Sequence, residues 1–307
     1  MTQVKKTLID GNSIGYSASQ AGVVLKAGDM ETQGVFLSLK VIRDIVSRNA
    51  GGQFLVLWDG RSWRKSEFSE YKAQRGATAK DRQMRSSYKT QSPYLRRALG
   101  ALGISQAIAS NMEADDLAAK ITERASAKDN TKIWLVTRDR DWQQLVRDNV
   151  VWLDHRDQSR VSAKNFAEKT GYADRFQFSQ AKALQGDASD NIPGVGQIGE
   201  GRAKILLSTW GSVDAFLKDP EPEKTLGKKL PKYFADFRTL PERQEAYQRN
   251  LRLMDLTNPR ALPKTVNLRS VKGKYDEDAF KDVCAELGFH SYLKDLERFT
   301  APFRMSE

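Results

Sequence analysis

Nine carboxylates fall where the sequence places strand ends or helix starts: Asp10, Asp59, Glu113, Asp115, Asp116, Asp139, Asp141, Asp187 and Asp190. A cluster of that size destabilises a fold strongly unless cations neutralise it. No pattern of Lys or Arg in the sequence pairs with these acids one for one. Donor sets made only of oxygen suit Mg²⁺, with Mn²⁺ as a substitute, and leave positions for water and phosphate. Two such ions about 4 Å apart activate a water and stabilise the leaving oxygen of a phosphodiester. Other chemistries lack their residues. There is no Ser-His-Asp arrangement and no Walker loop, and Cys284 stands alone, which excludes an internal disulfide and a cysteine zinc site. His155 and His290 lie far apart and outside any H-E-x-x-H pattern.

The acids need elements to hold them. Residues 7–9 read as a short buried strand ending at Asp10 and a glycine turn, and residues 54–58 as a second ending at Asp59-Gly60. Ligands of open α/β sheets bind at the carboxyl ends of strands, so both acids stand where chemistry occurs. Helical periodicity through Val35, Leu39, Ile42 and Val46 ends near Gly51-Gly52. A strand over 104–109 precedes Glu113, Asp115 and Asp116, which open a helix over 117–127. Acids in a first helical turn are common as caps, but three in four residues exceed what capping needs. A third buried strand, 132–136, runs into Asp139 and Asp141, either of which alone could cap a helix over 142–146. Residues 150–153 and Val161 read as an edge hairpin, and 178–185 as a helix leading to Asp187.

Two further stretches point to a polyanion. Asp187 and Asp190, one helical turn apart, precede Gly194, Gly196 and Gly199 and then a basic helix over 200–210. Glycines ahead of a helix N-terminus expose backbone N–H groups to phosphate. The glycines match G-x-G-x-x-G, but no buried strand precedes them, so a dinucleotide site is excluded by context. Residues 61–97 hold eleven basic and three acidic residues, a surplus of eight within a net charge of +11. Trp63, Phe68, Tyr71, Tyr88 and Tyr94 are interleaved with them, the combination that serves phosphates and unstacked bases. Beyond Trp210 the chain says less: residues 220–232 read as a Pro-rich basic loop, 241–256 as a helix, and 279–299 as a helical region broken at Gly288.

The stretch GDASDNIPGVGQIGEGRAK resembles the helix-hairpin-helix of the 5′-nuclease family of flap endonucleases and 5′→3′ exonucleases. Other motifs of the family follow in its order: Asp59-Gly60 with Arg64-Lys65, Tyr71-Lys72 with Arg75, Glu113-Ala-Asp115-Asp116, and Thr137-Arg-Asp139-Arg-Asp141. The resemblance covers roughly residues 6–207. It implies an α/β fold: a central, mostly parallel sheet flanked by helices (a PIN-like nuclease core), with a helical arch and a helix-hairpin-helix region. The expected division is a core over 1–177, including a basic arch at 61–97, and a hairpin and C-terminal helical region over 178–307. By resemblance all nine acids hold two Mg²⁺ ions. Asp10, Asp59, Glu113 and Asp115 serve catalysis together with Lys72, which contacts the phosphate being cut, while Tyr71 stacks on the first base. DNA contacts are expected from Arg64, Lys65, Tyr71, Arg75, Arg82 and Arg85 on the arch side, and from Gly194, Gly196, Gly199 and Lys204 at the hairpin. Family members can also hold K⁺ in this hairpin.

The implied activity is metal-dependent cutting of DNA from 5′ ends or at 5′ flaps in replication or repair, with RNA–DNA hybrids as a further substrate class. The chain would act as a free-standing, cytoplasmic monomer with no membrane association. Two rival readings stand beside it. A PIN-type ribonuclease would share the acidic core but would not need the hairpin, and a non-catalytic helix-hairpin-helix binder would not need nine carboxylates. Divalent-dependent digestion separates the binder from both enzymes, and comparing DNA with RNA separates the enzymes.

Overall fold

The computed structural model describes residues 4–49, 52–126, 131–258 and 262–304. Gly51 and Ala127, expected near the ends of two helices, lie outside the described residues. A seven-stranded sheet forms the centre. Its strands are β1 (Val4–Asp10), β4 (Gln53–Trp58), β5 (Ser105–Ala109), β6 (Thr131–Val136), β7 (Val150–Leu153), β8 (Arg160–Val161) and β9 (Leu268–Val271). Their order is β8-β7-β6-β1-β4-β5-β9, parallel throughout except for the antiparallel edges β8 and β9. A small hairpin, β2 (Lys26–Ala27) with β3 (Met30–Glu31), stands apart.

Alternation along the strands divides the apolar residues between two cores. Leu8, Leu57, Ile133 and Leu135 face one side, against the helices Ala114–Ser126, Arg175–Gln185 and Glu200–Trp210. Ile9, Val56, Trp58 and Val136 face the other, against the helices Gly11–Ser19, Gln33–Arg48 and Ala79–Ala101 and the C-terminal helices Glu277–Glu286 and Leu296–Arg304. Strands covered on both faces must be apolar in both phases, which is why these segments read as continuous hydrophobic runs. The parallel order places the ends of β1, β4 and β6, and so Asp10, Asp59 and Asp139, along one edge of the sheet.

Three local readings are corrected. The expected glycine turn after Asp10 is the start of the helix Gly11–Ser19, with Asp10 as its cap, accepting from the Ser13 N–H at 2.9 Å. Glycine is required there because a Cβ would lie 2.5 Å from the Trp58 ring. Within the expected loop 220–232, Pro222–Leu226 forms a short helix that begins on its proline, whose fixed φ suits the first helical position. Strand β9 went unread because all four of its residues are exposed, so no buried alternation marks it.

Candidate active site

The nine acids do converge on one end of the sheet, but they fall into two sets. In the first set, neutral donors orient the carboxylates. Asp10 accepts from Ser13 N and from Thr137 Oγ1 (2.9 Å each), Asp59 from Ala114 N (2.8 Å), Asp115 from Trp142 Nε1 (2.6 Å), and Asp139 from Asp141 N (2.8 Å). Each donor is fixed by the fold: Ala114 N is the first amide of a helix, and Trp142 is wholly buried. Among the described residues, no ion pair reaches any of these four acids. Burial and the neighbouring Asp59 push the Asp10 pKa up to about 6. Burial, then Asp139, Asp59 and Glu113, raise Asp115, and burial with Asp141 raises Asp139. Without an ion-pair partner, Asp10, Asp115 and Asp139 hold their protons more tightly than free carboxylates do.

The second set is compensated by basic side chains, several of which serve two acids at once rather than pairing one for one. Arg64 lies 4% exposed, with Nη2 2.8 Å from Asp116 Oδ1 and Nη1 3.0 Å from Asp116 Oδ2 and 3.1 Å from Glu113 Oε2. Lys72 pairs with Glu113 and lies 3.7 Å from Asp190, while Arg75 reaches Asp190 at 2.6 Å. Burial opposes the charge on Lys72, but Glu113 and Asp190 outweigh it and raise its pKa. Burial likewise acts to raise Glu113, and Lys72 and Arg64 overcome it and lower it. Asp187 and Asp190, one helical turn apart, have separate basic partners. Asp187 caps the short turn Ala188–Asp190 and faces Lys182, which also pairs with Asp141 at 2.9 Å, whereas Asp190 faces Arg75 and Lys72.

Three site residues therefore change meaning. Asp116 has no exposed surface; it accepts from Arg64, from Trp63 Nε1 (3.1 Å) and from the Glu113 N–H (3.1 Å), so it is an internal brace and faces no site for an ion. Arg64 also donates to the Leu253 carbonyl at 2.6 Å, so four of its five N–H groups are spent inside the protein and it is turned away from a DNA phosphate. Tyr71 is 2% exposed, and its hydroxyl lies 2.7 Å from Glu113 Oε2 and 3.0 Å from Asp190 Oδ2, with its single proton shared between the two carboxylates, so its ring is turned into the protein and away from a base. The alternation of basic and aromatic residues was legible; which of them turn inward was not. Lys182 escaped the sequence reading altogether. Its one signal was a basic residue five positions before Asp187, on a helix pointing at the acids.

The other cations expected to contact DNA on this segment are Lys65, Arg82 and Arg85. Lys65 is exposed. Arg82 braces the turn at Gly76 and Ala77 (2.9 Å each), and Arg85 pairs with Asp81 at 3.0 Å while lying over the Tyr16 ring. Asp81 also accepts from Tyr16 and caps nearby backbone at Gly76, which fixes the foot of the helix Ala79–Ala101 to the helix Gly11–Ser19. The base of this arch is tied to the hairpin. Lys72 has a left-handed backbone (φ 57°) and donates its N–H to Asp190 O at 2.8 Å. Asn191 Nδ2 reaches Glu70 O at 2.8 Å, and Tyr71 packs with Ile192, Leu253 and Met254. Between arch base and hairpin lies a cavity of about 20 Å³, room for one water, lined by Asp115, Asp141, Asp187 and Asp190.

The hairpin is rigid in its own right. Buried Asn250 donates to Ala183 O (2.9 Å) and Pro193 O (2.8 Å), clamping the helix Arg175–Gln185 to the turn. Gly194 packs against the Gln185 carbonyl with no room for a Cβ, and Gly196 (φ 60°) lies beneath the Arg243 guanidinium. Gly199 caps the helix Glu200–Trp210 with open space around it, and Lys204 pairs with Glu200 at 2.7 Å on the exposed side.

Comparison with known proteins fits this arrangement. The thermostable DNA polymerase I of Thermus thermophilus is 28% identical over 306 residues, covering 98% of this chain and 34% of that protein. DNA polymerase I of Mycobacterium tuberculosis is 31% identical over 220 residues, 67% of this chain and 23% of that protein. The chain thus spans about a third or less of the curated relatives it matches. Among solved structures, a bacteriophage T5 flap endonuclease in complex with DNA and metal ions superimposes with a TM-score of 0.69 at 21% identity, over 92% of this chain and 99% of that one. The catalytic core of Rad2 in complex with DNA does so with a TM-score of 0.57 at 15% identity, over 98% and 92%. A family model described as the C-terminal SAM fold of 5′-3′ exonucleases matches residues 174–261. The model of their N-terminal resolvase-like domain matches residues 5–171, more than half of the chain and the whole parallel sheet with its acids, and the chain belongs to the 5′-3′ exonuclease family.

Proposed function

We propose that the chain hydrolyses DNA phosphodiesters from 5′ ends or at 5′ flaps, using two divalent ions held by the acid cluster. One observation carries this reading: Asp10, Asp59, Asp115 and Asp139 are oriented by fixed donors, yet among the described residues none of them has an ion-pair partner. Carboxylates held this way fit a hard cation and little else. Among the described residues no three acids already stand in coordinating geometry, so the side chains close further when an ion enters. Bound there, divalent ions activate water and stabilise a leaving oxygen. The solved T5 relatives hold metal ions, one of them zinc, which supports a divalent requirement; Mg²⁺ is the ion that an all-oxygen donor set favours.

The chain's own residues divide the remaining work. Asp10, Asp59 and Asp115 present charge at the ends of the central elements, and Glu113, Asp139, Asp141, Asp187 and Asp190 complete the rim. Lys72, at the edge of this cluster, brings the cation nearest the acids to the phosphate. Lys65, Arg75, Arg82 and Arg85 line the approach of a single strand, and Gly194, Gly196, Gly199 and Lys204 hold the duplex through backbone N–H groups and charge without reading bases. K⁺ at the hairpin and RNA–DNA hybrids belong to the same reading as ligand and substrate. Among the described residues no helix is long and apolar enough to cross a membrane.

The test is a panel of 5′-labelled duplex, nicked, gapped and flapped DNA, with RNA and hybrid counterparts, assayed with Mg²⁺ and with chelator. Cutting near the 5′ end that disappears with chelator supports the reading. A Gly196→Val variant, shown by circular dichroism to be folded, should lose duplex substrates while keeping its cutting of single strands, because valine resists φ 60° while the acids are untouched. Binding to DNA without cutting in any divalent ion would leave only a binding module.

A further inference from the structure

Lys182 is an ammonium inside an acid cluster. It projects from the helix Arg175–Gln185, with its Nζ 2.9 Å from Asp141 Oδ1 and 3.4 Å from Asp187 Oδ2, and its side chain is only 21% exposed. Asp187 turns its other oxygen to the backbone, accepting from Ser189 N (2.8 Å) and Asp190 N (3.3 Å). Asp141 and Asp187 are thus drawn together by a cation that belongs to the protein. Among the described residues Asp10, Asp59 and Asp115 have no such ion pair; their hydrogen-bond partners are two backbone amides, a hydroxyl and an indole. The cluster is asymmetric in charge before any ion arrives.

We infer that Lys182 is a resident counter-ion of the Asp141–Asp187 side, so that this side binds a divalent ion more weakly than the Asp10–Asp59–Asp115 side and gains it only as the ammonium moves away. The inference rests on the metal-binding reading above. A dication approaching Asp141 and Asp187 meets a positive charge within contact distance of both, and a like charge that close opposes binding directly. The flexible four-carbon stem of lysine lets the ammonium leave without disturbing the helix. Order follows from this: the uncompensated side fills first, and the second ion enters in competition with Lys182. An ion on the second side therefore frees a positive charge at the rim, near the path of the substrate phosphates.

The experiment counts ions on the full chain without turnover, by electron paramagnetic resonance of free Mn²⁺ and by calorimetry with Ca²⁺. Wild type should show one tighter and one weaker site. Lys182→Met should strengthen the weaker site by about tenfold or more, the effect of removing one like charge at contact, and leave the tighter one within about twofold. Lys182→Arg should restore the weak site. Asp187→Asn, which keeps the lysine, should weaken only the weaker site and serves if Lys182→Met fails to fold. Two equal sites in wild type, a weaker site unmoved by Lys182→Met, or an Asp187→Asn effect on the tighter site would each overturn the inference while leaving the metal reading intact. Binding of no divalent ion at all would overturn both.

Discussion

The two halves of the acid cluster solve the same electrostatic problem in opposite ways. Around Glu113 and Asp116 the fold supplies its own cations, and the result is a brace: Arg64 and Lys72 join the basic segment, the helix Ala114–Ser126 and the Leu253 carbonyl into one buried unit. Around Asp10, Asp59 and Asp115 the described residues supply hydrogen-bond donors but no ion-pair partner. Acids with similar sequence signatures therefore serve different ends. What separates them is whether a guanidinium or ammonium reaches them in three dimensions.

The largest effect should come from the uncompensated half. Asp115→Asn should abolish cleavage while DNA binding persists or tightens, because removing a negative charge lessens repulsion of phosphate. Cleavage of 5′-labelled substrate in Mg²⁺ at the wild-type rate would remove Asp115 from the chemistry. The braced half should instead respond in stability. Arg64→Ala strands the buried Asp116 charge and should cost about 3–5 kcal/mol, the range for breaking one partner of a buried pair. Urea unfolding measures it; an unchanged midpoint with weakened DNA binding would return Arg64 to the DNA surface.

Lys72 lies between the halves. Lys72→Ala should slow single-turnover cleavage by roughly two to three orders of magnitude, the scale of losing one electrostatic stabiliser, with much less change in DNA affinity. A loss of affinity alone would make it an ordinary phosphate contact. The smallest effect concerns Asp10 in the metal-free protein. Its folded pKa of about 6 lies above the usual 3.8, so the folded state holds the proton more tightly. Stability should fall as pH rises from about 4 to about 6 and stay low above that, by at most about 3 kcal/mol. Asp10→Asn should therefore raise the chelated protein's melting temperature at pH 8 and not at pH 4; equal effects at both would deny the burden on Asp10.

The sequence made the core legible because parallel strands buried on both faces must be apolar without interruption, and because an acid follows each one. Residues 54–58 and 132–136 fall within β4 and β6 for that reason. The failures share a different cause. Arg64, Tyr71 and Asp116 carry residue types that suit DNA or metal, and only the packing of Trp63, Leu253 and Met254 around them turns them inward. Lys182 was missed because its partners, Asp141 and Asp187, lie on separate elements that only the fold brings together.

The left-handed backbone at Lys72 has a mechanical consequence. A lysine at φ 57° is strained by roughly 1–3 kcal/mol, and it stays there because Asp190 O takes its N–H and Tyr71 is wedged beside Ile192. Segment 70–72 is in effect a spring held by a catch, with the arch on one side and the hairpin on the other. A shift of the arch base is thereby tied to the hairpin through the Lys72–Asp190 backbone bond and the Tyr71–Ile192 contact. The spring can be weighed on its own: Lys72→Ala removes the ammonium and keeps the strain, Lys72→Gly removes both, and the stability difference between the two variants, after adding back the roughly 0.4–1 kcal/mol of extra backbone entropy that glycine loses on folding, is the energy stored in that one turn.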